Sequence, residues 1–344
     1  MKEAELYIID NQTQNVNCKL CPHYCEIEPN SKGICGVRKN LNGKLYTLTY
    51  EKAVSLAIDP IEKKPLYHFK PGTKVLSFGT PGCNFKCKNC QNHDLSFYNT
   101  KLLENSNFKM SIDEIFNTFN RFEYDGIAYT YSEPTIFYEY AKDVILKFKN
   151  NESTKHLFHL FVSNGYMSNE LIDDIIKNNL LDVINIDLKF VDENLYQTIC
   201  KGTLSPVLNT IERFNKTNVF IEITNLVIPT LNDSDEDFIK ISKIIYEINP
   251  NIPLHFSRFF PHNKMLDYPP TDLNRLVTAK KIAEQIGLKY VYIGNTNIPN
   301  VSNTFCPNCK KLLIERNAYR IFNNKLKDKN GICPFCETKI NIVL

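Results

Sequence analysis

The 344-residue sequence lacks any run of 18 apolar residues, which excludes a membrane-spanning helix of ordinary length. It also lacks a strong charge of either sign, since 41 Lys and Arg residues stand against 38 Asp and Glu residues. This near-balance argues against a protein that coats nucleic acid, although it leaves room for a local basic patch. The first residues, MKEAELYIID, lack the basic-then-apolar pattern of a secretion signal, so we expect a cytoplasmic protein.

Twelve cysteines are present, and all but one fall into three groups. The groups are an N-terminal set (Cys18, Cys21, Cys25 and Cys35), a central triad (Cys83, Cys87 and Cys90) and a C-terminal set (Cys306, Cys309, Cys333 and Cys336), while Cys200 stands alone. In a reducing compartment, clustered thiols bind metals rather than form disulfides. We therefore predict a metal site at each of the three groups.

From about residue 74, strand-like apolar runs alternate with helical stretches. The runs are 74–78, 126–131, 157–163, 183–188, 219–224, 253–257 and 289–293. Helices are predicted at 134–149, 168–179, 234–247 and 271–286, and another is predicted to begin at Ser111, where SIDE forms a capping box. This alternation predicts an α/β fold with right-handed βαβ units and a parallel sheet.

The number of these units is too small for a closed eight-stranded barrel. We therefore predict an open or partial (β/α)6 barrel at 74–295. The two outer cysteine sets indicate a cysteine-rich N-terminal module at 1–73 and a zinc-ribbon-like module at 296–344.

Polar side chains recur along three of the predicted strands. Asn185, Asp187 and Lys189 share one face of their strand, because side chains alternate with a period of two. Glu222 and His255 interrupt the next two strands in the same way. Burying an unpaired carboxylate or ammonium group is costly, so we expect these side chains to face a wet or ligand-filled lumen.

Polar or metal-binding segments also follow the predicted strands. The central triad follows the first strand, Ser132-Glu133-Pro134 the second, Ser163-Asn164-Gly165 the third and Asp187-Leu188-Lys189 the fourth. The carboxyl ends of parallel strands lie on one side of an α/β sheet, and that side carries the site. We expect these segments to converge on one rim.

The central triad offers only three sulfur ligands, with the spacing Cys-x3-Cys-x2-Cys. Three thiolates suit a cubane [4Fe–4S] cluster with one open iron, whereas an electron-carrier ferredoxin would need a fourth nearby cysteine. A zinc knuckle is the structural alternative. S-adenosylmethionine (SAM) can chelate an open iron through its amino and carboxylate groups. A reduced cluster can then cleave the sulfonium to release a 5′-deoxyadenosyl radical.

The CNFKCKNC loop resembles the signature of the radical SAM superfamily. This resemblance implies that the central triad binds the cluster. It also implies that Ser132 and Glu133, in a segment similar to Gly-Gly-Glu-Pro, meet the amino group of SAM, and that Ser163 and Asn164 contact its ribose. Asp187 and Lys189 resemble the Asp-x-Lys pair of glycyl-radical activating enzymes. Asn89 departs from the family, which usually has an aromatic residue before the third cysteine.

A narrower resemblance extends over nearly the whole chain. Segments such as CKLCPHYCEIEPNSKGICGVRKN, AYTYSEPTIFYEY and HFSRFFPHNKMLDYPPT are similar to the AmmeMemoRadiSam-system enzymes, which are related to pyruvate formate-lyase activating enzyme. The resemblance implies an oxidoreductase that uses a [4Fe–4S] cluster and SAM. It further implies a one-electron donor such as ferredoxin or flavodoxin, a protein substrate, and AMMECR-like and Memo-like partners.

Several residues keep two interpretations. The C-terminal set favours a zinc ribbon over an auxiliary Fe–S cluster, and the N-terminal set suits zinc and Fe–S equally well. Cys200 is either a hydrogen-atom donor or relay, or a buried inert thiol. His255, Arg258 and His262 bind substrate or the SAM carboxylate, or form a polar network. Asp187 and Lys189 could form a structural ion pair, Ser163-Asn164-Gly165 a plain turn, and Glu133 a helix start.

The sequence thus predicts an oxygen-sensitive enzyme that cleaves SAM and takes a hydrogen atom from a protein. The reaction would be glycyl-radical activation or another modification. Residues 91–126 contain none of the extra cysteines that activating enzymes with additional clusters usually carry there, which weakens the activation hypothesis. The alternative is a metal-dependent RNA- or protein-binding module with a non-catalytic cluster.

Overall fold

Two small antiparallel sheets begin the fold in the computed structural model, which describes residues 1–98, 109–326 and 330–344. Their strands are β1 (Lys2–Glu3), β2 (Tyr7–Ile9), β3 (Val16–Cys18), β4 (Glu26–Ile27), β5 (Arg38–Leu41) and β6 (Lys44–Thr47). They pair in the orders β1-β6-β5 and β2-β3-β4. Strands this short are not stable alone. Their buried residues, including Val16 and Leu45, belong to the same core as the central sheet.

An eight-stranded sheet forms the centre of the fold. Its strands are β7 (Ser55–Pro60), β8 (Lys74–Gly79), β9 (Gly126–Tyr129), β10 (Phe158–Ser163), β11 (Val183–Asp187), β12 (Phe220–Val227), β13 (Leu254–Arg258) and β14 (Val291–Gly294). They lie side by side in chain order. β8 to β14 are parallel, and β7 is antiparallel to β8. The α/β class and all seven predicted strands are confirmed, and β7 is an additional edge strand.

Helices connect the parallel strands. They are α1 (His93–Ser96), α2 (Ile112–Asn117), α3 (Tyr138–Lys149), α4 (Asn169–Lys177), α5 (Glu193–Leu195), α6 (Leu204–Asn215), α7 (Asp235–Ile248) and α8 (Leu273–Ile286). Short 3-10 turns cover Ile61–Lys63, Thr118–Asn120 and Pro134–Phe137, and a π-helical turn covers Tyr196–Cys200. Ser111 forms the predicted capping box on α2. Within the described residues, no helix has both the length and the apolar character needed to cross a bilayer.

A third small sheet follows the central one. It is antiparallel and consists of β15 (Thr304–Phe305), β16 (Leu312–Asn317) and β17 (Arg320–Asn324). Its buried residues form a separate apolar cluster that also contains Tyr67, Tyr290 and Tyr292. The side chains of the central sheet therefore contribute to the core of this C-terminal part.

The prediction that Glu222 and His255 face a wet or ligand-filled lumen is wrong. Both side chains are buried, and the segment before β8 covers them. The Glu222 carboxylate accepts hydrogen bonds from the backbone N–H groups of Tyr67 (3.0 Å) and His68 (2.7 Å), and it lies 2.7 Å from His255 Nε2. Asn185 Nδ2 donates to the carbonyl oxygen of Pro65 at 2.9 Å. The chain itself therefore satisfies these polar groups, which removes the cost of burying them.

Candidate active site

The central triad lies in the loop that follows β8, at the carboxyl end of the parallel sheet. All three cysteines are partly buried. The π-helical turn holds this loop, because Lys86 N–H donates to the Cys200 carbonyl oxygen (2.8 Å) and Lys88 N–H donates to that of Ile199 (3.0 Å). π-turns are rare and are often found at functional sites. Backbone contacts therefore fix the three thiols on the rim where the sequence predicts them.

The fold raises the pKa values of all three thiols of the central triad. Burial raises the pKa values of Cys83 and Cys90. The neighbouring Cys200 thiol, together with burial, raises the pKa of Cys87. Metals bind the thiolate form, so loading this site must release protons.

Glu133 organises the segments that follow β9 and β10. Its carboxylate accepts hydrogen bonds from Ser163 Oγ (2.7 Å), Asn164 N–H (2.8 Å) and Thr135 N–H (3.1 Å). Burial raises the pKa of Glu133. Ser132 lies at the same rim, where its hydroxyl donates to the Thr80 carbonyl oxygen at 2.6 Å. The roles of these residues toward SAM stay predictions, and Glu133 already positions the turn that begins at Ser163.

Asn164 connects this turn to the loop of the central triad. Its Nδ2 donates to Asn84 Oδ1 at 2.8 Å and lies 4.0 Å from Cys83 Sγ. Asn84 Nδ2 in turn donates to the Tyr166 carbonyl oxygen at 3.0 Å. The structure thus brings the third predicted segment against the first cysteine of the triad.

Asp187, the last residue of β11, forms an ion pair with Lys189, whose Nζ is 3.0 Å from Asp187 Oδ2. Their side chains are 35% and 21% exposed, so both remain accessible to a ligand at the rim. Burial alone would lower the pKa of Lys189, but the paired Asp187 carboxylate outweighs it and raises that pKa. Lys189 is therefore a stable positive charge beside the triad.

Cys200 is fully buried at the end of the π-helical turn, and its thiol is close enough to Cys87 to raise the pKa of Cys87. Sequence spacing gave no sign of this contact, because the two cysteines are far apart in the chain. Among the residues that the structure describes, Cys200 is the one thiol outside the triad for which a contact with a triad cysteine is found. Cys200 is therefore the protein ligand that would compete with SAM for the fourth coordination position of a cluster.

The three residues that the sequence singled out after β13 do not act together. His255 is paired with Glu222, Arg258 Nε donates to the Thr271 carbonyl oxygen (2.9 Å), and His262 is exposed. Two neighbours that the sequence missed reach the triad loop instead. Lys264 N–H donates to the Lys88 carbonyl oxygen (3.0 Å), and Asn263 Nδ2 donates to that of Cys87 (3.3 Å).

Three buried polar atoms in residues within or beside the triad loop have no hydrogen-bond partner in the described part of the chain. They are Thr80 Oγ1, Asn89 Oδ1 and His93 Nδ1. Such atoms are rare in folded proteins, because each costs free energy until a partner satisfies it. Asn89 also holds the position where the family usually has an aromatic residue. Together with the three thiols of the triad, these atoms fit a site that takes a polar ligand.

The two outer cysteine sets differ in arrangement. Among the residues that the structure describes, the C-terminal set alone brings four ligand sulfurs within 4.8 Å of one another. Cys306 and Cys336 are 3.6 Å apart, and Cys309 and Cys333 are 3.7 Å apart. These distances suit one tetrahedral ion, because a Zn–S bond of about 2.3 Å gives sulfur–sulfur edges of about 3.8 Å.

Comparison with known proteins identifies the family of this chain. The family model described as the Radical SAM superfamily matches residues 77–241. A Methanocaldococcus jannaschii protein named putative glycyl-radical enzyme activating enzyme is 31% identical over 223 residues, which cover 62% of this chain and 76% of that protein. The chain belongs to the radical SAM superfamily.

Two further likenesses cover larger parts of this radical SAM protein. An uncharacterized Methanocaldococcus jannaschii protein is 41% identical over 349 residues. That alignment covers the whole length of both chains. A solved radical SAM methyltransferase from Sphaerobacter thermophilus superposes with a TM-score of 0.50 at 10% identity, over 65% of this chain and 67% of that one. The likeness to the methyltransferase concerns the fold alone, because the sequence identity is only 10%.

Proposed function

We propose that this protein reductively cleaves SAM at a [4Fe–4S] cluster held by Cys83, Cys87 and Cys90. The observation that carries the proposal is a loop with three cysteine thiols at the carboxyl rim of the parallel sheet in a radical SAM protein. When bound, the cluster and SAM supply one-electron cleavage of the sulfonium to a 5′-deoxyadenosyl radical. We also propose that the sheet corresponds to a partial (β/α)6 barrel, with the N-terminal and C-terminal modules as appendages.

The residues around the triad have separate tasks in this proposal. Lys189 places a positive charge beside Cys87, which partly offsets the negative charge of a thiolate-bound cluster. Asn164 and Ser163, fixed by Glu133, present polar groups for the ribose of SAM. Asp187, which is partly exposed, can accept a hydrogen bond from a bound ligand.

We propose a protein as the substrate and ferredoxin or flavodoxin as the electron donor. The names of the relatives support this, because two of them are called putative glycyl-radical enzyme activating enzymes. The modification is glycyl-radical activation or another hydrogen abstraction from a protein. AMMECR-like and Memo-like proteins are candidate partners on the basis of the sequence resemblance.

The first experiment tests SAM cleavage. The protein is reconstituted anaerobically with iron and sulfide, reduced with dithionite and incubated with SAM, and 5′-deoxyadenosine is measured. We expect product from the unchanged chain and none from Cys87→Ala. A fully loaded cluster that yields no product would reject the proposal and favour a metal-dependent binding module.

The matched variant Cys200→Ala separates a three-ligand site from a four-ligand electron carrier. If SAM occupies the fourth position, this variant keeps its iron and still forms 5′-deoxyadenosine. If Cys200 is the fourth ligand, the variant loses iron, and the unchanged chain does not cleave SAM.

The second experiment tests the substrate class. Cell extract from a deuterated culture is separated into macromolecules and small molecules, and each fraction is added to the reaction. Hydrogen abstraction transfers deuterium into 5′-deoxyadenosine, which mass spectrometry detects. We expect deuterium from the macromolecular fraction, and protease treatment should abolish it. Deuterium from the small-molecule fraction alone would contradict a protein substrate.

A further inference from the structure

The N-terminal set surrounds one cavity, although its members come from separate turns. Cys18, Cys21, Cys25 and Cys35 line this cavity together with Arg38. Backbone hydrogen bonds define the turns: Cys18 N–H donates to the Cys25 carbonyl oxygen (2.9 Å). In the second turn, Gly33 N–H donates to the Arg38 carbonyl oxygen (2.9 Å). The fold therefore gathers four sulfur ligands that are spread over 18 residues of sequence.

Arg38 is the unusual member of this cavity. Its side chain is 1% exposed, and its Nη2 binds Glu139 Oε2 at 2.5 Å. The other two guanidinium nitrogens, Nε and Nη1, are buried without a hydrogen-bond partner among the described residues. Burying unsatisfied donors of a charged group is costly, so these atoms indicate a missing acceptor.

Four thiolates around a metal supply that acceptor. Such a centre is anionic, and its sulfur atoms accept N–H···S hydrogen bonds. A buried anion requires a compensating charge, which Arg38 provides from the wall of the cavity. The two guanidinium nitrogens of Arg38 without a partner are therefore an observation independent of the cysteine count, and they indicate the same occupant.

Sulfur spacing distinguishes between the possible metals. A single tetrahedral zinc ion brings all four sulfurs to about 3.8 Å from one another. The C-terminal set is packed closely in this way, whereas the sulfurs of the N-terminal set do not all lie within 4.8 Å of one another. Wider spacing is what a cluster requires, since its terminal thiolates bind different iron atoms.

We propose that the N-terminal set holds a polynuclear iron–sulfur cluster, with Cys18, Cys21, Cys25 and Cys35 as ligands and Arg38 as the donor of N–H···S hydrogen bonds. This site does not depend on the central triad. It can therefore be tested whether or not the protein cleaves SAM.

The test uses the full chain with Cys83→Ala, Cys87→Ala and Cys90→Ala combined, produced with iron–sulfur assembly proteins and purified anaerobically. We expect iron and acid-labile sulfide in equal amounts, about two to four of each per chain. Electron paramagnetic resonance of the reduced sample should show a cluster signal. Adding Cys18→Ala and Cys35→Ala should remove iron, sulfide and signal together.

Two results would overturn the proposal. One is zinc without iron at this site, measured as a second zinc per chain beside that of the C-terminal set. The other is a folded variant that binds neither metal, with circular dichroism as the check on folding. Should the triple variant fail to fold, the same comparison is made in the otherwise unchanged chain. There, Cys18→Ala with Cys35→Ala should remove one cluster and leave the other.

Arg38 has a test of its own. Removing a positive charge and two donor nitrogens from the wall around a cluster makes the reduction of the cluster more difficult. In the triple variant, Arg38→Met combined with Glu139→Leu removes the ion pair without leaving Glu139 unpaired, and the midpoint potential should become more negative. Arg38→Lys keeps the charge and should shift the potential less. An unchanged potential in the paired variant would contradict the role assigned to Arg38.

Discussion

The N-terminal and C-terminal cysteine sets have the same number of ligands and similar burial, but the fold spaces them differently. Each set has two buried and two partly buried cysteines. The C-terminal sulfurs lie close enough for one ion, whereas the N-terminal sulfurs are spread around a cavity lined by a buried arginine. Ligand count alone therefore does not determine the metal, because the distances and charges that the fold creates decide between zinc and a cluster.

The largest expected effect concerns the C-terminal set. Combining Cys306→Ala with Cys309→Ala should remove one zinc per chain and unfold the segment from β15 to β17. A structural zinc supplies on the order of 10 kcal/mol of folding free energy to such a segment. Metal analysis and limited proteolysis measure both effects.

The same variant tests whether the C-terminal module recognises the substrate. We expect 5′-deoxyadenosine formation without substrate to persist, while deuterium transfer from a protein substrate falls. Equal loss of both reactions would indicate that the module only stabilises the central sheet. If the variant lost iron rather than zinc, the C-terminal set would hold an iron–sulfur cluster, contrary to the assignment made for the two outer sets.

A smaller effect is expected where the N-terminal module meets α3. Arg38→Met leaves the fully buried Glu139 without its charged partner, which should destabilise the protein by about 3–5 kcal/mol. Arg213→Met is the matched control, because Arg213 pairs with the exposed Asp173, and its loss should cost about 1 kcal/mol or less. Anaerobic urea unfolding measures both, and equal losses would argue against a buried pair at Arg38.

A third effect depends on pH and concerns the C-terminal end of the chain. His68 is buried between the Asn341 carbonyl oxygen (2.6 Å) and Tyr292 Oη (2.5 Å), and burial lowers its pKa to about 4. The folded state favours neutral His68, so this histidine makes its full contribution to stability when the pH is above its unfolded pKa of about 6.5. The contribution, up to about 3 kcal/mol, is lost as the pH falls from 6.5 toward about 4.

The measurement for His68 compares urea midpoints at pH 7.5 and pH 5. The unchanged chain should lose stability at the lower pH, and His68→Asn should reduce this difference. A pH dependence that is identical in the variant would show that His68 does not cause it.

The sequence predicted the parts of the fold that local patterns encode. The seven parallel strands are apolar runs, and a capping box marks the start of α2 at Ser111. β7 was missed because it is an edge strand whose exposed and partly buried residues alternate. α6 was not predicted, and in the structure its N-cap residue Thr203 makes no side-chain capping hydrogen bond.

Contacts between distant parts of the chain explain the remaining errors at the site. Glu222 is satisfied by the backbone of Tyr67, 155 residues earlier, and a local pattern of polar residues carries no signal for so distant a partner. The contact between Cys200 and Cys87 also depends on the fold. By contrast, the positions of the central triad and of Glu133, Asn164 and Lys189 at one rim follow from the order of parallel strands.

The most direct test of the central claim is electron–nuclear double resonance of the reduced cluster with SAM that carries magnetic isotopes in its amino nitrogen and carboxylate oxygen. The account predicts strong coupling of both atoms to the cluster, in the unchanged chain and in Cys200→Ala alike. Absence of this coupling in a fully loaded, reduced sample would mean that no iron is open to SAM and would contradict the account.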